Sequence, residues 1–467
     1  MPTKNRVHFE ISERKVLLRI VDVISVLLAL YAVGIVFNFN YFQFSTTNFY
    51  WTFVLAIYLT VFGTVFEMYN LQVASNQVQV IKSIVLTTTT TGLVYLLTPV
   101  LTPVLPSNRL QILFFFLAIF SALFIWRLLY VAFFASNRFT KQVILICDRN
   151  QLHELVEGLE HADPHYKVVG YINSDQHDTQ GPAIHSIPSL RAIDSANLSN
   201  FVASNAVSEV VVAAQNTEGI TAQLYTQLIQ LLENGHMIKE YTQVYESLTQ
   251  RIPVQYVARD FYRYFPFSRS NQNHLYLIAI RSIDLIVGVA GLIIGTAILP
   301  FILIGNACAN RGNLLYTQDR VGKNGQVFKI IKFRTMVKNA EANGAVFTTL
   351  NDSRVTPFGK FLRKARLDEF PQFYNIIKGE MSVIGPRPER PVFVNEIAET
   401  MPFYETRHII KPGLTGWAQV NYAYGESLDD SLIKLQYDLY YIKHRSIFLD
   451  INICVKTLST ILFYRGQ

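Results

Sequence analysis

Residues 275–304 read LYLIAIRSIDLIVGVAGLIIGTAILPFILI, an apolar run long enough for a membrane helix. Three residues interrupt it. Arg281 and Asp284 are three apart, so a helix places them on one face. Pro300, near the end, removes a backbone donor and crowds the preceding turn, so the helix is expected to bend or break there. What flanks the run differs sharply on its two sides. Before it lie further apolar stretches and a region of alternating strands and helices. From Asn310 onward the chain becomes dense in Arg, Lys, Gly and Pro.

Toward the N-terminus, four apolar stretches at about 16–37, 50–69, 80–101 and 110–134 each approach the roughly 20 residues of a spanning helix. The third is the weakest, because its centre is Thr87–Thr91; threonine hydroxyls that bond back to their own helix make it tolerable. The first run is too long for a signal-peptide core and lacks a small-residue cleavage site. Basic residues set the orientation. Lys4, Arg6, Arg14 and Lys15 precede the first run, and Arg138 and Lys141 follow the fourth. The first loop, 38–49, carries none. Both ends are therefore expected inside, with four crossings between them.

Between the apolar stretches, 143–147, 166–172 and 209–214 read as buried strands, and 151–159 and 220–232 as helices. That alternation implies a parallel α/β sheet. The turn after the first strand is Asp148-Arg149-Asn150-Gln151. It lacks the glycines of G-x-G-x-x-G that let a backbone approach a pyrophosphate. The region is thus read as Rossmann-like without a dinucleotide site. The expected division is a four-helix membrane region (1–136), the α/β domain (137–256), a polar and aromatic linker (257–273) and a last domain (274–467) that opens with the membrane helix at about 275–304.

Composition agrees with a membrane protein. Of 467 residues, 50% are hydrophobic and only 16% charged, against about 25% in ordinary soluble domains. The net charge of +7 suits phosphorylated substrates or anionic lipid; the hydropathy argues against nucleic acid. Cys147, Cys308 and Cys454 are isolated, which fits neither a disulfide framework nor a zinc site.

Three features of the last region bear on chemistry. A cationic series runs through Arg320, Lys323, Lys329, Lys332, Arg334, Arg354, Lys360, Arg363, Lys364 and Arg366. Arginine forks match phosphate oxygens, though such a cluster beside a membrane also holds lipid headgroups. Asp368-Glu369 follows directly. Adjacent helical residues do not face each other, so one carboxylate can attack phosphorus while the other holds a metal; a solvated pair offsetting nearby arginines is the plain alternative. Magnesium is the expected ion, held by one or two carboxylates together with substrate phosphates. Lastly, Gly385-Pro386-Arg387-Pro388 is a rigid turn that aims one arginine, or simply a turn.

Taken together, residues 275–467 resemble the bacterial sugar transferase family, the monotopic phosphoglycosyl transferases. The strings that carry the resemblance are Gln318-Asp319-Arg320-Val321-Gly322, Lys332-Phe333-Arg334-Thr335-Met336, Asn351-Asp352-Ser353-Arg354-Val355-Thr356, Leu362-Arg363-Lys364 and Leu367-Asp368-Glu369-Phe370-Pro371-Gln372. They continue through Gly379–Pro388, Arg407-His408, Lys411-Pro412-Gly413-Leu414-Thr415-Gly416-Trp417-Ala418-Gln419 and Tyr437-Asp438-Leu439-Tyr440-Tyr441-Ile442. The long N-terminal part is similar to the undecaprenyl-phosphate glucose phosphotransferase type. The implied fold is a membrane α-helical bundle, an α/β Rossmann-like domain and a mixed α/β monotopic catalytic domain with a re-entrant membrane helix.

The resemblance also implies roles. Asp368 is the expected nucleophile and Glu369 the magnesium ligand. Lys332, Arg334, Arg354, Arg363 and Arg387 are expected to handle phosphate. The implied reaction moves a hexose 1-phosphate from a UDP-sugar, UDP-glucose foremost, to undecaprenyl phosphate with release of UMP, through an aspartyl-phosphosugar. It would be the first membrane step of exopolysaccharide, capsule or O-antigen synthesis, at the bacterial inner membrane with the catalytic domain cytoplasmic. A straight fifth span would put that domain outside, where no nucleotide sugar is available. A re-entrant helix marked by Arg281, Asp284 and Pro300 keeps it inside.

Departures from the family pattern are Ile280 before Arg281, Leu299 before Pro300, Phe370 and Phe373 in place of leucines, and the stretch Val420-Asn421-Tyr422-Ala423-Tyr424-Gly425. A nucleotide-sugar-binding scaffold and a glycosyltransferase that releases UDP are the competing functional classes. The chain leaves room for a homodimer, though no residue argues for one. His408 reads as a structural histidine, and the tail, 446–464, as either interfacial or packed on the catalytic domain.

Overall fold

The computed structural model describes residues 11–37, 39–42, 44, 48–69, 77–134, 141–163, 166–174, 190–205, 207–213, 220–254, 273–310, 312–337, 340, 352–401, 403–422 and 428–462. Lys4, Arg6, Arg138, nearly all of the expected linker and Ala423-Tyr424-Gly425 lie outside the described residues. The chain divides into two compact units, Met1–Thr249 and Gln250–Gln467.

The first unit begins with four apolar helices where the sequence places them: α1 (Ile11–Phe37), α2 (Phe49–Val65), α3 (Gln77–Leu96) and α4 (Arg109–Phe134). Of these, α1 and α4 are long and apolar enough to cross a membrane, while α2 and α3 count as shorter apolar helices. Leu18, Val26, Leu30, Leu55, Leu59, Ile84, Tyr95, Phe115 and Ile119 form their shared core. Inside it Arg127 of α4 donates to Asp22 of α1 at 2.7 Å, both nearly inaccessible. The threonine expectation is not met at the centre of the third run, although elsewhere in the bundle Thr60, Thr64 and Thr98 do bond back to carbonyls four residues earlier. The hydroxyls of Thr87, Thr88 and Thr91 are buried without a partner. Threonine divides between two rotamers in a helix, and only one aims Oγ1 at that carbonyl.

The α/β part of the unit runs β1 (Lys141–Cys147), α5 (Leu152–Ala162), β2 (Tyr166–Asn173), β3 (Arg191–Ala192), α6 (Leu198–Ser204), β4 (Glu209–Val212), α7 (Ala222–Glu233), β5 (Met237–Glu240) and α8 (Tyr241–Thr249). All strand pairs are parallel, in the order β3-β2-β1-β4-β5. The central strand β1 is buried on both faces from Val143 to Cys147, as an all-apolar parallel strand should be. The turn after it is tied to the end of β2: Ser174 donates to Asp148 at 2.6 Å, and the Arg149 amide donates to Asn173. Sequence reading misses β3, β5, α6 and α8, which are short and half-exposed or weakly patterned.

The second unit opens with α9 (His274–Gly305), followed by one π-helical turn, Asn306–Asn310. Of the bend or break expected at Pro300, the break does not occur, and the helix runs through the proline. Packing on both sides of the proline explains this. Ile302 joins Phe333 and Leu362 in one apolar cluster, and a Cβ on Gly295 or Gly305 would meet Phe370 or Phe358. The irregularity falls instead at the π turn, where Asn306 donates to the Gly312 carbonyl and Asn310 to that of Arg334. Together with that turn, α9 is the third helix long and apolar enough to cross a membrane.

Beyond α9 come the antiparallel hairpin β6 (Leu315–Val321) and β7 (Val327–Phe333), then α10 (Pro357–Lys364), α11 (Gln372–Lys378), β8 (Ser382–Ile384), α12 (Pro391–Thr400), β9 (Gly413–Thr415), α13 (Trp417–Asn421), α14 (Leu428–His444) and α15 (Ile447–Leu462). Strand β8 pairs in parallel with β9. The main core gathers Ile384, Phe393, Ile397, Trp417, Leu435, Leu439, Tyr441 and Ile453. The tail packs on the domain through one face and leaves another bare. In α15, Ile453 is fully buried, while Phe448, Ile451 and Leu458 remain exposed.

One face of α9 docks along the rest of the second unit and the other is bare. Arg281 donates to the carbonyls of Ile376 and Ile377 at 2.8 and 2.6 Å, closing the C-terminal end of α11. Asp284 accepts from the Ser382 hydroxyl and the Val383 amide. A Cβ on Gly291 would lie 2.4 Å from the Phe373 ring. Phe370 and Phe373 therefore face glycines that leave room for them. Leu275, Ile278, Ile286, Ile293 and Ile304 are exposed on the other side.

Candidate active site

The two adjacent carboxylates sit on a single 3-10 turn, Leu367–Glu369, wedged between α10 and α11. The turn is entered through Arg366 in the left-handed region (φ 55°), a conformation that costs a non-glycine residue about 1–2 kcal/mol. Such local strain persists where surrounding structure overrides it. Here the flanks supply that constraint. Thr356 caps α10 through the Gly359 amide, and Pro357 starts the helix with its fixed φ. Gly359 is needed for close approach, since a Cβ there would lie 2.0 Å from the Thr335 carbonyl oxygen. On the other side, α11 ends at Gly379 with φ 90°, a left-handed C-cap. Asn375 of α11 donates to the Lys329 carbonyl and accepts from the Ile331 amide, which locks α11 to β7 just before Lys332.

Glu369 is the hub. Its Oε1 lies 3.3 Å from Lys332 Nζ, 3.4 Å from Arg387 Nη2 and 3.5 Å from Arg366 Nη1. Burial alone pushes its pKa up, but the charges of Lys332, Arg387 and Arg366 overcome that and hold it at about 2. It is therefore ionised throughout the physiological range. Asp368 is the contrast. It is equally buried, and its Oδ1 has no hydrogen-bond partner. Burial, reinforced by the Glu369 charge next to it, lifts its pKa above the usual aspartate value, with Lys332, Arg363 and Arg366 opposing. The arrangement is one carboxylate fixed in a cationic cage and another held close by with an oxygen uncommitted. Burial also lowers the pKa of Lys332, against the pull of Glu369.

The expected phosphate-binding residues divide. Lys332 and Arg387 reach Glu369. Arg363 acts electrostatically on Asp368 while its Nε donates to Thr335 at 3.0 Å. Arg354 does not join them. Its guanidinium is paired with Asp352 at 2.5 Å and donates to the Ala340 carbonyl at 3.1 Å. A carboxylate two residues away captures it, an outcome that charge counting does not foresee. Arg334 lies against Gly312, with its Nε buried and unbonded. Arg366, by contrast, was not among the expected site residues. The signal was its spacing, three residues before Glu369. His408 stacks edge-on against Tyr404, and burial with the nearby Arg407 charge lowers its pKa to about 4, so it stays neutral.

The Gly385–Pro388 turn is pinned in place. Four consecutive carbonyls each accept from a separate donor: Pro386 from the Gly413 amide, Arg387 from Arg407, Pro388 from Arg320 and Glu389 from the Val321 amide. Among the described residues no group of three or more His, Cys, Asp or Glu side chains is placed to hold a metal. Asp368 and Glu369 fit a magnesium ion only as part of a shell that substrate phosphate oxygens and water complete, which is the ion's ordinary habit. The buried, unbonded Oδ1 of Asp368 leaves the pair an oxygen to contribute to such a shell.

A family model for bacterial sugar transferases matches residues 275–464. A UDP-N-acetylgalactosamine-undecaprenyl-phosphate N-acetylgalactosaminephosphotransferase of Aeromonas hydrophila is 39% identical over 220 residues, 47% of this chain and 51% of that protein. A UDP-glucose:undecaprenyl-phosphate glucose-1-phosphate transferase of Xanthomonas campestris pv. campestris is 36% identical over 195 residues, 41% of this chain and 40% of that protein. The chain thus matches about half or less of the length of these two relatives. A protein of Bacillus subtilis (strain 168), provisionally named an undecaprenyl-phosphate N-acetylgalactosaminyl 1-phosphate transferase, is 41% identical over 141 residues, which cover 30% of this chain and 79% of that protein.

Proposed function

The chain belongs to the bacterial sugar transferase family, and on that premise we propose that it moves a sugar 1-phosphate from a UDP-sugar to undecaprenyl phosphate with release of UMP. The observation that carries this reading is the asymmetry of the carboxylate pair: Glu369 caged by three cations, Asp368 buried beside it with Oδ1 unbonded.

The steps follow from those two environments. The Asp368 carboxylate attacks the sugar-bearing phosphorus of the donor; the new Oδ–P bond forms as the bond to UMP breaks. A phosphate oxygen of the lipid then attacks the same phosphorus, the Oδ–P bond breaks, and Asp368 is regenerated as a carboxylate. One anhydride replaces another across the cycle. Burial strips water from the Asp368 carboxylate and so leaves it a stronger nucleophile. Arg363, Arg366, Arg387 and Lys332 offset charge on the transferring group without having to reorganise. Magnesium, held by the Asp368–Glu369 pair together with substrate phosphate, would neutralise charge on the diphosphate.

Membrane placement belongs to the same proposal. Contacts with one domain run from Arg281 of α9, a helix of 32 residues and so about 48 Å, to Asn310 of the π turn that follows it. A perpendicular crossing would drag that domain's charged face into lipid. We read α9 as lying in the inner leaflet with its bare face to the acyl chains and the catalytic unit cytoplasmic, at the bacterial inner membrane. The α/β part of the first unit is read as Rossmann-like, and the four-region division of the chain is kept.

Names of the relatives divide between glucose and N-acetylgalactosamine, so the donor is a UDP-hexose or a UDP-N-acetylhexosamine. The test is a panel of UDP-glucose, UDP-galactose and UDP-N-acetylgalactosamine with undecaprenyl phosphate and magnesium. UMP and a lipid diphosphate sugar are expected from one donor. UDP as the nucleotide product, or no lipid product from any donor, would contradict the proposal.

A further inference from the structure

We infer that Arg407 is a positioning residue: it fixes the backbone of the Gly385–Pro388 turn so that the Arg387 charge stays on Glu369. The inference rests on the transferase reading, but its geometry is independent of it. Arg407 is 5% exposed. Its Nη1 donates to the Tyr404 hydroxyl at 2.5 Å, and its Nη2 donates both to Asp438 of α14 at 2.7 Å and to the Arg387 carbonyl at 3.0 Å. Arg387 in turn places Nη2 3.4 Å from Glu369 Oε1. A continuous path thus leads from the core helix α14 through Arg407 and the Arg387 backbone to the hub of the site.

Two physical arguments make this more than a stabilising pair. Prolines at 386 and 388 have no N–H, so the turn is held chiefly through its carbonyls, and each of those needs an outside donor. Of the four donors, two are backbone amides and one, Arg320, is partly exposed and shared with Glu389 and Gln318. Arg407 is the buried, charge-assisted one. Buried ion pairs, moreover, are poor stabilisers, since an apolar replacement is often neutral or better. Keeping Arg407 and Asp438 paired 2.7 Å apart in a core is better explained by what the guanidinium holds than by net stability.

The test is a double-mutant cycle on the full-length protein in lipid nanodiscs, with UMP release and thermal unfolding both measured. Arg407→Lys keeps the charge but cannot bond Tyr404, Asp438 and the Arg387 carbonyl together. Arg387→Ala is expected to slow kcat about 100-fold, as for loss of one donor to transition-state charge. Arg407→Lys is expected to slow kcat about tenfold with an unfolding midpoint near that of the unmodified protein, and the double variant to be no slower than Arg387→Ala alone. Multiplying effects, or an unchanged kcat in Arg407→Lys, would overturn the inference. If Arg407→Lys does not fold, Asp438→Asn replaces it with the same expectations. If the unmodified protein releases no UMP, the transferase reading fails. The cycle is then run on the affinity for UDP-sugar, where coupling between positions 387 and 407 is still expected and strict additivity still overturns the inference.

Discussion

Two buried clusters of charge, one in each unit, use the same side chains to opposite effect. In the helical bundle, Asp22 and Arg127 meet one to one at 2.7 Å, with side chains 0% and 1% exposed. In the catalytic unit, Glu369 faces three cations at 3.3 to 3.5 Å, and those cations are 20 to 31% exposed. The first is a tight pair that solvent does not reach, although Asp22 Oδ1 there is also left unbonded. In the second, Lys332, Arg363, Arg366 and Arg387 outnumber Asp368 and Glu369 by two charges, and the contacts are loose. A surplus of positive charge that solvent reaches is what a diphosphate substrate would complete. The lesson is that burial of a carboxylate against arginine says little by itself; stoichiometry and slack separate a pin from a site.

The comparison breaks most decisively at Asp368. Asp368→Asn is expected to lower UMP release at least about 10³-fold while leaving the unfolding midpoint unchanged or raised, because the amide removes a buried charge. A drop in stability that accounts for the lost activity would instead place Asp368 with the structural pairs. In the bundle the expectation is reversed. Arg127→Met leaves Asp22 buried without its partner and should cost about 3–5 kcal/mol of stability, read by thermal unfolding, with kcat per folded molecule unchanged. Glu369→Gln comes next, with a rate loss of about 10²-fold and a higher magnesium concentration for half-maximal rate.

Two smaller effects sharpen the contrast. In the proposed reaction Asp368 must be ionised to attack, and its pKa lies above the ordinary aspartate value of 3.8. The rate should therefore rise with pH along a limb displaced above that value, measured as kcat against pH. Stability linked to His408 runs the same way. Its folded pKa, about 4, is below the ordinary 6.5, so the unfolded chain binds the extra proton and stability falls as the pH drops from about 6.5 to about 4. A His408→Phe variant should show a flatter unfolding profile across that window. The smallest effect is expected at Arg354: since its guanidinium is held by Asp352, Arg354→Ala should slow turnover less than Arg387→Ala does, in parallel assays of UMP release.

How much of this was legible in the sequence depends on what kind of information each feature carries. Long apolar runs announced all five hydrophobic helices, and Val143–Cys147 announced the central strand, because burial is written directly into residue type. The two-residue β3 and the half-exposed Met237–Glu240 strand escaped, since their pairing is decided by neighbours and not by their own pattern. Pro300 pointed to a bend or break in the sequence, yet the helix runs unbroken past it, packed against Phe333, Leu362 and Phe358. In the site, charge was legible but partnership was not. Arg354 and Arg366 look alike in the chain; Asp352 captures one, and a left-handed turn delivers the other to Glu369. Arg407 was visible only as part of a matching string, because its role depends on the carbonyl of a residue twenty positions earlier.

The covalent step remains the centre of the account, and one measurement addresses it directly. The purified protein is mixed with the accepted UDP-sugar and magnesium without any lipid phosphate, quenched in acid, digested and weighed by mass spectrometry. The expected result is a burst of UMP no larger than the number of active sites, with the mass of one sugar phosphate on the peptide that contains Asp368. UMP that appears only when the lipid is added, with every peptide unmodified, would mean that phosphorus passes directly from donor to acceptor and that Asp368 never carries it.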